Sequence, residues 1–430
     1  VNSLASAGST VYWRAGTYTF SSEQDISVAG NASNPVTWTV YPGDAAPTFT
    51  GGDKSQYGVM IRLTGSAAYN TLSSFSADCG AWGTNYASLS STLPAACGYV
   101  VSVNSGTTHN AIASCNIEGA RQEAYADSGS YFTVNGCAIF HNANDNNPGN
   151  PGGWRNTSNG GGGWPGATAY PGSPDHTLIE NSQIYENYGE GALLGGNTAT
   201  FQNNVVHDNF SSEVGCDGVT SGLCTITGNW IYTNQESGFE RYRSGSPAPA
   251  ISIGMGTEGG RNASVFVANN VVYGGYFNYS YFNNTNDSAC YSHYVVVGNT
   301  FVNPIGSTYQ TNVNIDTNST SCSTQSGNVW MDNISAVYNG NPNVNIPSNQ
   351  GFVYDHNDWY GGGGGPLAGG SGDLTLDPLF LGPISGTSPL NFNLQRGSPL
   401  LNVGSSILIY TTLDYLGNSR MNTDIGAFDP

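Results

Sequence analysis

Three consecutive stretches decide the fold: HTLIENSQIYEN (176–187), ATFQNNVVHDN (199–209) and CTITGNWIYTN (224–234). Aligned on their last four residues they read Ile184-Tyr185-Glu186-Asn187, Val206-His207-Asp208-Asn209 and Ile231-Tyr232-Thr233-Asn234, with an earlier relative at Ile139-Phe140-His141-Asn142. SVFVANNVVYGG (264–275) and YVVVGNTFVNP (294–304) continue the series. A repeat of roughly 20–30 residues marks a solenoid. Each stretch is a short apolar alternation that cannot bury its own face. Stacked in parallel at about 4.8 Å, such strands make one continuous core. The expected fold is all-β, a right-handed parallel β-helix over 1–430 as one domain. Asn142, Asn187, Asn209 and Asn234 then fall on one line and are expected to form an amide ladder. Phe140, Tyr185, His207 and Tyr232 form a second line, read as stacked rings.

Composition agrees. The 430 residues include 59 Gly and only 9% charged side chains. With Lys, Glu and Met scarce, no long amphipathic helix is expected. Ten Lys plus Arg face 29 Asp plus Glu, a formal charge of −19. That balance excludes nucleic acid, whose phosphates need a basic footprint. It would also repel a polyanionic substrate unless cations or an arginine cluster reversed the field locally. No apolar run is long enough for membrane insertion. Val1 is expected to follow a removed leader or upstream sequence.

Eight cysteines lie at Cys79, Cys97, Cys115, Cys137, Cys216, Cys224, Cys290 and Cys322, without zinc spacing. Their even number and local pairing suggest disulfides and an oxidising exterior, hence a secreted or cell-surface protein. The pairs in sequence order are the expected bridges, though sequence alone leaves connectivity open. Cys115 and Cys137 are about one coil apart, so they would bond between neighbouring coils. Sequons occur at Asn31, Asn156, Asn209, Asn262, Asn278, Asn283, Asn286, Asn318 and Asn333. Chance supplies about that many in an Asn-, Ser- and Thr-rich chain, so they permit glycosylation without arguing for it.

The opening SLASAGSTVYWRAGTYTF (3–20) and PVTWTVYPGDAAPTFTGG (35–52) resembles the first coils of bacterial right-handed β-helix repeat proteins, the pectate-lyase-like superfamily. The ending, DPLFLGP (377–383), NFNLQRGSPLLNVG (391–404) and DYLGNSRMNTDIGAFDP (414–430), is similar to its closing coils. Coils over 375–430 are therefore expected to close the helix. NYGEGALLGG (187–196) and NNVVHDNF (203–210) resemble its middle coils. The likeness covers almost the whole chain and is specific for fold. The superfamily spans lyases, hydrolases, epimerases and adhesins, and fold does not carry function. Relatives commonly have a further strand before the opening segment. Its absence here implies missing sequence or an open first coil, which would template another copy and build a filament end to end.

Residues 144–175 interrupt the repeat with a Gly-, Pro- and Asn-rich insertion. Long loops within compact domains are usually functional or disordered. Trp154, Trp164 and Tyr170 within it are read as packing or subunit contacts, or as stacking surfaces for sugar rings.

Ionisable residues concentrate between Glu186 and Arg243. Glu186 and Asp208 hold equivalent places in adjacent coils, as two carboxylates for glycoside hydrolysis would. Proximity of like charges would raise one pKa, as a general acid requires. Glu190, Glu213, Asp217 and Glu236 add acids, and Arg241 and Arg243 alternate on one strand face. The alternative readings are a solvated acidic edge, ion pairs of the arginines with Glu236 and Glu240, or Ca2+ held by oxygen ligands. No cofactor is required. The polygalacturonase motif set is not assembled, and the alginate-epimerase signature is absent; Asn422-Thr423-Asp424 and Ser173-Pro174-Asp175-His176 are isolated echoes.

Two readings stand. The first is an extracellular structural or adhesive protein, assembling end to end or binding cell-surface polysaccharide. The second is a secreted carbohydrate-active enzyme, a polysaccharide lyase or glycoside hydrolase, using the Glu186–Arg243 cluster.

Overall fold

The computed structural model describes residues 4–430 except 56, 82–94, 145–167, 170–173, 211, 220, 234–249, 256–261, 284–292, 306–309, 316–325, 347–350, 367–368 and 406. Among these residues there is no α-helix; parallel strands dominate. The architecture is the expected right-handed parallel β-helix. The chain divides into two compact units, residues 1–200 and 201–430.

In the first unit a coil carries three strand positions. One column runs through Trp38, Leu72, Ile112, Val134 and Ile179, each in register with the next. A second runs through Phe49, Ala77, Ile117, Ile139 and Ile184. All ten are buried, and burying a large aliphatic or aromatic side chain contributes about 1.5–3 kcal/mol. The alternation read in sequence thus points the apolar residue inward at every level. Phe140 lies over Tyr185 with ring centroids 5.1 Å apart and planes 6° from parallel, as expected.

In the second unit the inward columns are Ile226, Val267, Val296, Trp330 and Tyr354, and Val206, Ile231, Val272, Phe301, Ser335 and Trp359. His207 stacks on Tyr232 at 4.6 Å. Ser335 is the polar exception. Its hydroxyl donates to Asn343 Oδ1 and accepts from Asn312, so it is buried with its bonds made.

The amide ladder takes two forms. In the first unit Asn142 donates its backbone N–H and its Nδ2 to Asn187 Oδ1, at 3.0 and 3.2 Å. In the second unit Asn209, expected to continue that line, gives its backbone N–H and Nδ2 to the buried Glu213 carboxylate. Asn234 lies outside the described residues. A longer ladder, not foreseen, runs Asn204, Asn229, Asn270, Asn299, Asn333, Asn357 and ends at Asp373. Each of these asparagines is buried, so each amide must find its partners inside.

Residues 375–430 differ from the closing coils expected of them. Among the described residues they form no strand but the 3-10 turns Pro389–Phe392 and Ile407–Ile409 and the isolated antiparallel bridges Phe380–Leu394 and Leu413–Ser419. Instead they form a strap over the outward face of Trp230–Tyr232, Val271–Tyr273, Thr300–Val302 and Ile334–Ala336. Phe380, Phe392, Leu394, Leu400, Ile425 and Phe428 pack there against Trp230, Val271, Val302, Ile334 and Ala336. The outer face of those strands is largely apolar and must be covered.

Candidate functional site

In the first unit Glu186 sits in the left-handed turn after Gln183–Tyr185, with φ 51°. Its Oε2 lies 3.1 Å from His141 Nε2, while His141 Nδ1 lies 3.6 Å from Glu118 Oε2. Glu118 is in register with Asp78 of the preceding coil. The result is a half-exposed row of Asp78, Glu118, His141 and Glu186. Burial works against the imidazolium of His141, and the two glutamates outweigh it and raise its pKa. Burial chiefly, with Glu118 adding and Gly80 N–H and His141 opposing, raises the Asp78 pKa. Such a row sets one imidazole between two carboxylates. It can neutralise stacked acids, or hold and move a proton.

Asp78, Glu118 and His141 were not foreseen as site residues. The signal lay in the ends of two strands, where Asp78 precedes Cys79-Gly80 and Glu118 precedes Gly119. Glu190, also in the first unit, is buried.

In the second unit Asp208 holds the corresponding left-handed turn, φ 56°, after Val205–His207. It is buried, with Oδ2 2.8 Å from His207 Nδ1. Glu213 is spent on Asn209. Burial, followed by Asp208 and Glu213, pushes the Tyr232 hydroxyl up to about 12. Asp217 lies in the strand Val214–Val219. Glu236, Arg241, Arg243, Trp154, Trp164 and Tyr170 lie outside the described residues. Among the described residues no group of three or more His, Cys, Asp and Glu is placed to hold a metal ion. None of their helices is long and apolar enough to cross a membrane.

Disulfides join Cys79 to Cys97, Cys115 to Cys137 and Cys216 to Cys224. Cys115 and Cys137 stand side by side in adjacent coils, their Cα atoms 4.5 Å apart, since Asn116 is in register with Ala138. Cys290 and Cys322 fall outside the described residues. Among the sequons, Asn209, Asn278 and Asn333 are buried, with Nδ2 donating inside the fold. A glycan would need that nitrogen at the surface, so these three are excluded as acceptors in the folded chain. Asn31 is exposed. The backbone at Asn262 and Asn283 is in strands, and Asn156, Asn286 and Asn318 lie outside the described residues.

The chain is similar in structure to the pectate lyase Pel9A, with TM-score 0.53 at 13% identity over all of this chain and 89% of that one. The two share the parallel β-helix fold. PfbA, a surface adhesin of Streptococcus pneumoniae, superposes with TM-score 0.57 at 12% identity over 82% of each chain. A mutant of the family PL6 alginate lyase AlyGC gives 0.50 at 12% identity, over 92% of this chain and 55% of that one. No family model matches the chain, and no curated protein matches it. At these identities the likeness carries the β-helix and stops there.

Proposed function

We propose that this chain is an extracellular structural or adhesive β-helix protein, presenting a rigid lateral surface to cell-surface polysaccharide or to copies of itself. One observation carries this reading. Three of the acids that sequence singled out are engaged by the fold: Glu213 by Asn209, Asp208 by His207 and Glu186 by His141. A catalytic acid or base must instead reach the atom whose proton it moves. Disulfides between and within coils support an oxidising exterior, and the PfbA adhesin shows the same fold in a surface protein.

The test pairs imaging with chemistry. Purified chain is imaged at high concentration, and separately incubated with neutral and uronate polysaccharides, with and without calcium. The expected result is retention on polysaccharide or end-to-end particles, with no new reducing ends or unsaturated uronates. Cleavage that is lost in Glu186→Gln overturns the reading.

Such an outcome would establish the second reading, a secreted carbohydrate-active enzyme. What favours it is the half-exposed row Glu118–His141–Glu186, with a histidine whose pKa is raised between two carboxylates.

A further inference from the structure

In the second unit one line of left-handed turn residues runs Asn203, Gly228, Asn269, Gly298, Asp332, His356. The backbone N–H of each donates into the following coil in the same way, to the carbonyls of Thr227, Ala268, Val297, Met331, Asp355 and Ser371. The C-terminal strap is anchored along this line. Asn269 Nδ2 donates to Thr411 Oγ1 and to the Leu413 carbonyl, and its Oδ1 accepts from Arg420. Gly298 lies beneath Ile407 and Arg420, and Asp332 accepts from the Ser405 N–H and hydroxyl.

At the start of the line the strap stands away. Asn203, the counterpart of Asn269, is exposed and makes no side-chain hydrogen bond among the described residues. A cavity of about 360 Å³ opens there. Val205 and Gly228 line it on the coil side, and Tyr415, Leu416 and Gly417 on the strap side. Both walls are held in place. Val205 and Tyr415 pack against the cluster of Trp230 and Phe428. The Tyr415–Gly417 turn is closed by Gly417 N–H on the Asp414 carbonyl and by Asn418 N–H on the Asp414 carboxylate.

We infer that this cavity is a binding site for a neutral sugar ring. Its volume lies within the roughly 300–1,000 Å³ of small-ligand sites. A tyrosine ring and the Val205 and Leu416 side chains suit the C–H face of a sugar. The Asn203 amide offers a donor and an acceptor to hydroxyls, and Gly417, where an added Cβ would meet nothing within 4 Å, lets the ligand approach backbone. No charged side chain lines the cavity. A uronate carboxylate would find no counter-charge there and would meet a chain of net charge −19. Neutral carbohydrate is therefore the matching class. The inference deepens the adhesive reading by naming what is held.

The experiment titrates the full chain with short cello-, xylo-, manno- and malto-oligosaccharides and with trigalacturonate, read by calorimetry and saturation-transfer NMR. Two variants accompany it. Asn203→Ala removes the amide. Gly417→Asn narrows the cavity at a position with φ +78°, where an added Cβ meets nothing within 4 Å; asparagine tolerates that backbone. Thermal melting checks that both fold. The expected result is that one neutral oligosaccharide binds, trigalacturonate does not, and each variant binds about tenfold more weakly. Absence of neutral-sugar binding in the millimolar range, unchanged binding in both variants, or preference for trigalacturonate overturns the site. Unchanged binding in the variants would remove this pocket and leave the adhesive reading. Cleavage of polysaccharide would overturn that reading and leave the pocket.

Discussion

Asn357 donates both its backbone N–H and its side-chain amide to one oxygen of Asp373, at 2.8 and 3.1 Å. The other oxygen accepts from Trp359 Nε1 and the Gly370 N–H. In the ladder above, every asparagine passes two donors to the Oδ1 of the next, so the last residue receives donors from both sides. Only a group that accepts on both atoms can stand there, and a carboxylate does.

Asp373→Asn should therefore destabilise the second unit, because one set of donors must face an NH2. The expected loss is about 1–3 kcal/mol, measured by urea denaturation. A change of only a few tenths would show that the terminus is not satisfied in this way.

The bridge between Cys115 and Cys137 closes a loop of sequence separation 22. Removing it as the Cys115→Ala, Cys137→Ala double variant should cost about 3 kcal/mol through the unfolded chain. Melting of the wild type with and without reductant provides the comparison. A double variant as stable as the oxidised protein would refute the estimate.

Stability should fall as pH rises from acid to neutral. Burial first, and then nearby Asp377 and Asp373, against the Leu376 N–H, hold the Asp358 pKa at about 7, far above its ordinary 3.8. Burial raises Asp127 to about 6, against the bonds from Thr177 and Gly129. Between 3.8 and those values the folded chain keeps protons that the unfolded chain has lost, so stability declines with pH across that window. His141 acts in the same direction. Its raised pKa contributes stability that is full below 6.5 and is lost as pH passes the folded value. Melting temperatures should drop between pH 4 and 7, and Asp358→Asn should flatten the slope. A rising or level wild-type profile would refute the assignment.

Arg420 is buried under the strap, donating to Asn269 Oδ1 and to the Gly426 carbonyl. Arg420→Ala leaves Asn269 without that donor and loosens residues 407–426, uncovering the apolar outer face of the second unit. Limited proteolysis should cut the strap faster, and a hydrophobic dye should bind. Wild-type resistance to protease would show that apolar packing alone holds it.

Much of this was legible in the chain. The Ile-x-x-Asn and Val-x-x-Asn repeats gave the coil length, and the register of Ile139 with Ile184 and of Val206 with Ile231 followed. The spacing of Cys115 and Cys137 matched one coil, while the choice among cysteine pairings was left to the structure. The site was less legible. Glu186 was marked as a partner for Asp208, while the row containing it was not foreseen, because Glu118 and Asp78 are 68 and 108 residues upstream of it. Only the stacking of coils brings such distant positions onto one row.

The sequence alone determined the β-helix, since a short-period alternation of apolar residues has no other way to bury its face. It also determined which side chains point inward. Tertiary structure decided where each ladder ends, which acids the fold consumes, and that residues 375–430 lie along the outer face of the coils. Those outcomes depend on contacts across many coils: Asn269 meets Leu413 at a separation of 144 residues, and Asp332 meets Ser405 at 73. Local pattern holds no record of a partner that far away. The packing of the strap onto the coils supplies it, and with it the cavity beside Asn203.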